Sequence, residues 1–458
     1  MRARSTALAK LCWSAIDGAT SADEVVFTGS GALPSAFAVT DIASATIATA
    51  ALSIAEFLRE SHGKRPAIVV DRRLSSIWFW ASIRPLDWRP TAVWDPIAGD
   101  YPTRDGWIRL HTNAPYHRAA AERVLRAQGD KETIARAVVG WLARDLENAI
   151  VEDGGCAAEM RSIAAWEEHP QGRAVAAEPL VHFETTETSG TLNLPLQPAR
   201  PLEGLRVLDL TRVLAGPVAT RFLAGYGAEV LRIDPPDWDE PAVVPEVTLG
   251  KRCARLNLHE SRDRAIFEQL LSRADVLIHG YRPGALDGLG YDAKVRQKLS
   301  PGLVDVSLDA YGWSGPWATR RGFDSLVQMS TGIADFGMQR SHSTKPVPLP
   351  VQAVDHATGY LMAAAAIRGI TLRMKNGHGS VARLSLARTA KLVIEHPTDT
   401  QEASLAAETE TDRSQEIELT TWGKAQRIVA PVQIAGAPMR WDVPARQLGS
   451  DTPHWRNA

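Results

Sequence analysis

A chain of 458 residues suggests two to four domains, and its net charge of −2 and pI near 6.7 leave no basic footprint for nucleic acid. Its cysteines, Cys12, Cys156 and Cys253, are odd in number and widely spaced, which argues against a disulfide framework or zinc ribbon, and the 12 histidines show no paired metal-ligand spacing. Lys10 interrupts any signal-peptide core and the Ala-rich stretch Ile42–Ala55 is too short to cross a bilayer, so a soluble, cytoplasmic protein without membrane contact is expected.

In chain order, Ala38-Val-Thr-Asp41-Ile-Ala-Ser opens an Ala-rich helix that runs to Ser61, with Ile42–Leu58 as its body. His62-Gly63 follows, then a strand-like run at Ala67–Asp71. Trp78, Trp80, Trp88 and Trp94, four of the 14 tryptophans, read as core or interface anchors. Near the other end the same order returns. Ala353-Val-Asp355-His-Ala-Thr opens a small-residue helix to about Gly377, His378-Gly379 follows, and Val381–Leu386 reads as a strand. This is an internal repeat.

Between Pro201 and Lys391 strands alternate with helices. Leu205–Leu210 is a short apolar strand, 216–225 a helix, Glu229–Ile233 a second strand ended by Pro235-Pro236, and Arg255–Leu258 a third. Residues 262–274 have helical spacing, with Ile266, Leu270 and Leu271 on one face. Asp275–His279 and Leu303–Leu308 are further strands. Such alternation predicts a parallel sheet covered on both faces, with a nucleotide-type ligand beyond the carboxyl ends of the strands. The nicotinamide fingerprint is missing. Thr211-Arg-Val-Leu-Ala-Gly216-Pro217 offers one glycine where three are needed, and Val213 and Leu214 would block a pyrophosphate from the backbone.

Asp355 sits at the mouth of its helix, after the proline-spaced Pro346-Val-Pro348-Leu-Pro350. One reading is a helix cap, whose carboxylate accepts the free N–H groups of the first turn and is kept ionised by the helix dipole. The other is an ionised, oriented nucleophile. The residues alone leave both open.

Seven blocks resemble one family in its own order over about 190 residues: Pro201–Pro217, Gly227–Pro236, Gly250-Lys-Arg252, Ala274–Gly284, Tyr311–Pro316, Arg321-Gly-Phe-Asp324 and Asp355-His-Ala-Thr-Gly359. The chain is similar to the class III CoA-transferases, the CaiB/BaiF family. The resemblance implies an α/β fold: a Rossmann-like parallel-sheet large domain plus a smaller α+β domain. Asp105–His117, Trp141-Leu-Ala-Arg, Glu152-Asp-Gly-Gly155 and Ile163–Gly172 resemble the small domain, which ordinarily follows the large one. The implied order is therefore rearranged. Residues 1–95 are a partial, degenerate large-domain copy, 96–195 the small domain and 196–395 the large CoA-binding domain. Residues 396–458 are a linker, polar and acidic over Thr398–Glu418, and a closing segment.

In that family the aspartate at the position of Asp355 is the nucleophile. The implied activity is an acyl-CoA:carboxylate CoA-transferase working through an acyl–aspartyl anhydride and an aspartyl-CoA thioester, with CoA as substrate and no metal, ATP or organic cofactor. Val213, Leu214 and Ala215 fall on the adenine and ribose pocket, Leu256, Tyr281 and Leu289 on other contacts, and Arg321 near the CoA phosphates. Gly280, Pro235 and Gly288 depart from polar or basic family positions, and Arg282 or Lys251-Arg252 could compensate. The expected partners are an acyl-CoA, an acceptor acid and a second copy in a homodimer, interlocked as in the family. Three other functions remain open: a 2-methylacyl-CoA racemase, a CoA-ester hydrolase or lyase, and a non-catalytic CoA-binding protein. Family racemases carry a histidine where this chain has Phe323, which cannot shuttle a proton.

Overall fold

The apolar runs between residues 205 and 310 are buried on both faces, and burial on both faces is what a parallel sheet requires. The computed structural model describes residues 2–18, 24–192, 194–195, 197–398 and 403–456. Its central sheet has seven strands, in the order Lys251–Arg255, Glu229–Asp234, Arg206–Leu210, Val276–His279, Val304–Asp309, His378–Ser385 and His182–Ser189. All neighbours are parallel except the last pair. The α/β class and Rossmann-like order read from the sequence hold. Strand order reverses between Arg206–Leu210 and Val276–His279, and that reversal opens a crevice at the carboxyl ends.

One strand assignment changes and one strand is added. The third strand is Lys251–Arg255 rather than Arg255–Leu258, because its charges are neutralised inside the fold. Lys251 Nζ lies 3.0 Å from Asp209 Oδ2 and also donates to the Pro217 carbonyl. The edge strand His182–Ser189 carries the polar run HFETTETS. Its half-exposed, antiparallel place at the rim of the sheet suits a sequence without an apolar face.

The two similar stretches form helices of the same length. Val39–His62 and Ala353–Asn376 are both helices of 24 residues, closed by left-handed glycines, Gly63 at φ 66 and Gly377 at φ 81. They pack along one another, joined by Glu56 and Arg368 at 3.1 Å. Small side chains set how closely Ala353–Asn376 also approaches the Ala215–Gly225 helix: a Cβ on Gly359 would stand 2.4 Å from the Ala215 carbonyl oxygen. The first helix is thus longer than the Ile42–Ala55 stretch suggested. By length and composition it could cross a membrane, yet 94% of its most apolar window is buried inside the chain.

Around it, Val25–Thr28 pairs in parallel with Ile68–Asp71, and Val432–Ile434 adds to Ile68–Asp71 antiparallel. Residues 399–402 of the acidic stretch lie outside the described residues. Beyond them acidic side chains clamp the first unit: Arg73 meets Asp412 at 2.7 Å and Arg84 meets Glu408 at 2.6 Å. Glu418–Thr420 and Gly423–Arg427 form a hairpin that takes in Ile83–Pro85. Residues 97–159 make a small α+β unit. Gly99–Pro102, Trp107–Leu110 and Ala157–Glu159 pair antiparallel beneath three helices, around Ile97, Tyr101, Ile108, Ile134, Leu146 and Ile150.

Candidate active site

A cavity of about 530 Å³ opens at the switch point, past the ends of Arg206–Leu210, Val276–His279 and Val304–Asp309. Asp355, Val213, Leu214, Ala215, Tyr281, Arg282, Leu289 and Arg321 all line it. Leu256 does not. Its N–H continues the ladder to the Asp234 carbonyl, and its side chain packs at 3% exposure in an apolar cluster with Leu210, Ile233 and Leu258. Lys251 and Arg252 are also elsewhere. Lys251 is fully buried on Asp209, and Arg252 donates to the Thr452 and His454 carbonyls.

The first turn after Arg206–Leu210 is built by side chains rather than glycines. Val213 takes φ 61, in the left-handed region, and its N–H donates to Glu240 Oε2 at 2.8 Å. Glu240 is in turn held by Arg232 at 2.6 Å and the Trp238 indole N–H at 3.1 Å. Arg212 lies 4.5 Å from the Trp238 ring and 5.8 Å from Tyr281, so an aromatic and cationic wall stands at this end. Neither Arg212 nor Trp238 was singled out from sequence. Each is an ordinary loop residue until the fold brings the loops together.

Asp355 is not the cap of its helix. Gln352 holds the cap position, no side chain caps it, and Asp355 is the third helical residue. The anion at this helix end is Asp324, whose Oδ2 accepts the Asp355 N–H at 3.0 Å. Gln328 donates to the other Asp324 oxygen and receives the Leu349 N–H at 2.7 Å. Burial pushes the Asp324 carboxyl up to about 6, against the opposing N–H of Asp355. Burial, and then the charge of Asp324, push Asp355 well above the usual range. Each of these two adjacent buried carboxyls thus favours its protonated form, and the helix dipole does not by itself keep Asp355 ionised. The sequence signal for Asp324 was its place in the Arg321–Asp324 block, without any indication of its partner.

The small unit supplies the opposite wall through Tyr116 and His117, in the first turn of Pro115–Leu125. His117 Nε2 lies 3.4 Å from Cys156 Sγ, and burial lowers its pKa to about 4, leaving a neutral imidazole. His111 stacks on Phe323 at 3.8 Å and is lowered to about 3 by burial. Among the described residues no three His, Cys, Asp or Glu side chains converge to hold a metal ion.

The first copy is closed at the matching point. Asp41 is also the third residue of its helix, but Arg72 Nη2 meets it at 2.9 Å and Ser5 Oγ at 2.5 Å. Arg72 opens the helix after strand Ile68–Asp71, as Leu386 opens the helix after His378–Ser385. Leu386 lines the Asp355 cavity, whereas its counterpart Arg72 carries a guanidinium that pairs with Asp41.

Comparison with known proteins gives a match of residues 202–449 to the family model described as CoA-transferase family III. An acyl-CoA transferase of Gibberella moniliformis is 30% identical over 338 residues, 67% of this chain and 58% of that protein. The succinyl-CoA:glutarate CoA-transferase of Mus musculus is 33% identical over 193 residues, 39% of this chain and 44% of that protein. The chain thus spans less than two thirds of either relative. The crystal structure of Rv3272 from Mycobacterium tuberculosis is 31% identical over 43% of this chain and 58% of its own, with a TM-score of 0.40.

Proposed function

The chain belongs to CoA-transferase family III, and from that premise we propose that it moves CoA between an acyl-CoA thioester and a carboxylic acid, with Asp355 as nucleophile. The observation that supports this reading is the position of Asp355, on the wall of the switch-point cavity with its N–H tied to Asp324.

The fraction of Asp355 that is ionised attacks the thioester carbonyl. A C–O bond forms, the C–S bond breaks, and CoA thiolate leaves. The thiolate then attacks the aspartyl carbonyl of the anhydride, releasing the first acid and leaving an aspartyl-CoA thioester. The acceptor carboxylate attacks that thioester to form a second anhydride, from which thiolate takes the new acyl group. Each covalent step replaces one difficult exchange by easier ones, and the acyl energy stays in activated bonds, so neither ATP nor a metal is required. Arg212, Arg282 and Arg321 around the cavity suit the phosphates of CoA.

The test is turnover with a panel of acyl-CoAs and acids, with and without EDTA, and hydroxylamine trapping of the acyl-enzyme. Asp355→Asn should fold, bind CoA and transfer nothing, and the trapped label should map to Asp355. Wild-type turnover by Asp355→Asn, a label on Asp41 or a divalent-ion requirement refutes the proposal.

A homodimer and a cytoplasmic location complete it. The three cysteines are free and buried, which suits a reducing compartment, and light scattering reads the dimer directly. One observation favours a racemase as second reading: neutral His117 lines the same cavity, where Phe323 offers no base. Exchange of the acyl C2 proton in D2O, lost in His117→Ala, would support that reading.

A further inference from the structure

Asp309 ends the Val304–Asp309 strand and lines the cavity that holds Asp355. Its Oδ1 accepts the Gly312 N–H at 2.8 Å and so fixes the turn that follows. Its Oδ2 is buried and, among the described residues, has no hydrogen-bond partner. Buried polar atoms are nearly always paired, and this oxygen lies behind the cavity surface, where a turn of the side chain would offer it to a ligand atom.

Glu178 stands across the same turn. Its Oε1 is taken by the N–H groups of Trp313 at 2.8 Å and Ser314 at 3.0 Å and by the Ser314 hydroxyl at 2.9 Å. A Cβ on Gly312 would fall 3.1 Å from that oxygen. Burial, with the charge of Glu178 behind it, pushes the Asp309 carboxyl well above the usual range and so favours the protonated form, which can donate.

The place in the sheet gives the direction. The cavity crosses the ends of Arg206–Leu210, Val276–His279 and Val304–Asp309 in that order. With strands about 4.8 Å apart, Asp309 stands about 10 Å along the sheet from the Arg212 and Trp238 end. Leu308, Ala310 and Leu386 line the cavity beside it, and these are apolar neighbours suited to an acyl chain.

We propose that Asp309 is a specificity-determining residue that hydrogen-bonds a neutral oxygen, hydroxyl or oxo, on the acyl chain seated against Asp355. The inference rests on the transfer reading for its substrate, an acyl-CoA. A second carboxylate is disfavoured there, because Glu178 already sets a negative charge behind Asp309. A plain hydrocarbon leaves Oδ2 unpaired, and a site built to bond an oxygen rejects the analogue without one.

The test compares butanoyl-, 3-hydroxybutanoyl-, 3-oxobutanoyl- and succinyl-CoA on wild type, Asp309→Ser and Asp309→Asn. Kd is read by calorimetry, and KM and kcat by transfer. Serine can still accept the Gly312 N–H but is too short to reach the cavity, whereas asparagine keeps both an acceptor and a donor. Wild type should bind the hydroxy and oxo esters about tenfold more tightly than the butanoyl ester, the worth of about one hydrogen bond. Asp309→Ser should abolish that preference and Asp309→Asn should keep most of it. Equal wild-type affinities, a uniform change across all four esters, or a selective loss of succinyl-CoA overturns the proposal. Calorimetry needs no turnover. Asp309-dependent binding without transfer would therefore sink the transfer reading alone, and transfer without Asp309 selectivity would sink this one alone.

Discussion

Replacing Asp324 by asparagine should stabilise the protein at neutral pH and leave it unchanged in acid. Asp324 is 1% exposed, and its carboxyl is raised from 3.8 to about 6, mainly by burial. The folded-state value lies above the unfolded one, so the folded chain binds the extra proton between those two pH values. Stability is then full below about pH 4 and falls as pH rises to about 6, by about 3 kcal/mol in order of magnitude. An isosteric amide removes that loss and still accepts the Asp355 N–H, while its amino group faces the Gln328 amide as the protonated oxygen of the acid does. Unfolding of a chain of this length as one unit carries an entropy of about 1 kcal/mol per K, so Asp324→Asn should melt about 3 °C higher than wild type at pH 7.5 and equal to it at pH 4. Scanning fluorimetry across that range measures the difference. A second readout follows from the charge that raises Asp355: without it, the acid limb of the rate profile should move to lower pH. If Asp324→Asn instead lowers the melting temperature equally at both pH values, the carboxylate stabilises its helix end more than burial opposes it, and the account of the pair is wrong.

Arg72→Leu should cost about 3–5 kcal/mol by leaving Asp41 charged, buried and unpaired; adding Asp41→Asn should recover most of it, and chemical denaturation with the double-mutant cycle reads both. Turnover at Asp355 should survive in the double variant, and its loss would show that the first copy takes part in the chemistry. Gly359→Ala should destabilise by about 1–3 kcal/mol despite better helix propensity, because the new Cβ meets the Ala215 backbone oxygen. Ala215 lines the cavity, so KM for acyl-CoA should rise as well, and an unchanged KM would separate packing from binding. Arg282→Ala and Arg321→Ala should each raise KM about three- to tenfold and weaken its dependence on salt, with kcat little altered; a change in kcat alone would remove them from phosphate binding.

The sequence by itself determined most strands of the central sheet and the order in which they follow one another along the chain. Apolar runs such as Val276–His279 can only be strands buried on both faces, Gly63 and Gly377 mark helix ends because they take positive φ, and the seven blocks lead to Asp355. It also showed the repeat, since Asp41 and Asp355 stand at the same place in similar helices. Tertiary structure decided which of those residues share an environment. Asp324 reaches Asp355 across 31 residues, Arg72 neutralises Asp41 across 31, and His117 enters the wall from another unit. Leu256 turns into the core and Lys251 onto Asp209, although neighbouring residues gave them the same sequence credentials as Tyr281 and Arg282. Successive residues of a strand face opposite ways, and where a strand stops decides which of them faces the cavity. That stopping point is set by hydrogen bonds and ion pairs between distant segments, which local sequence does not encode.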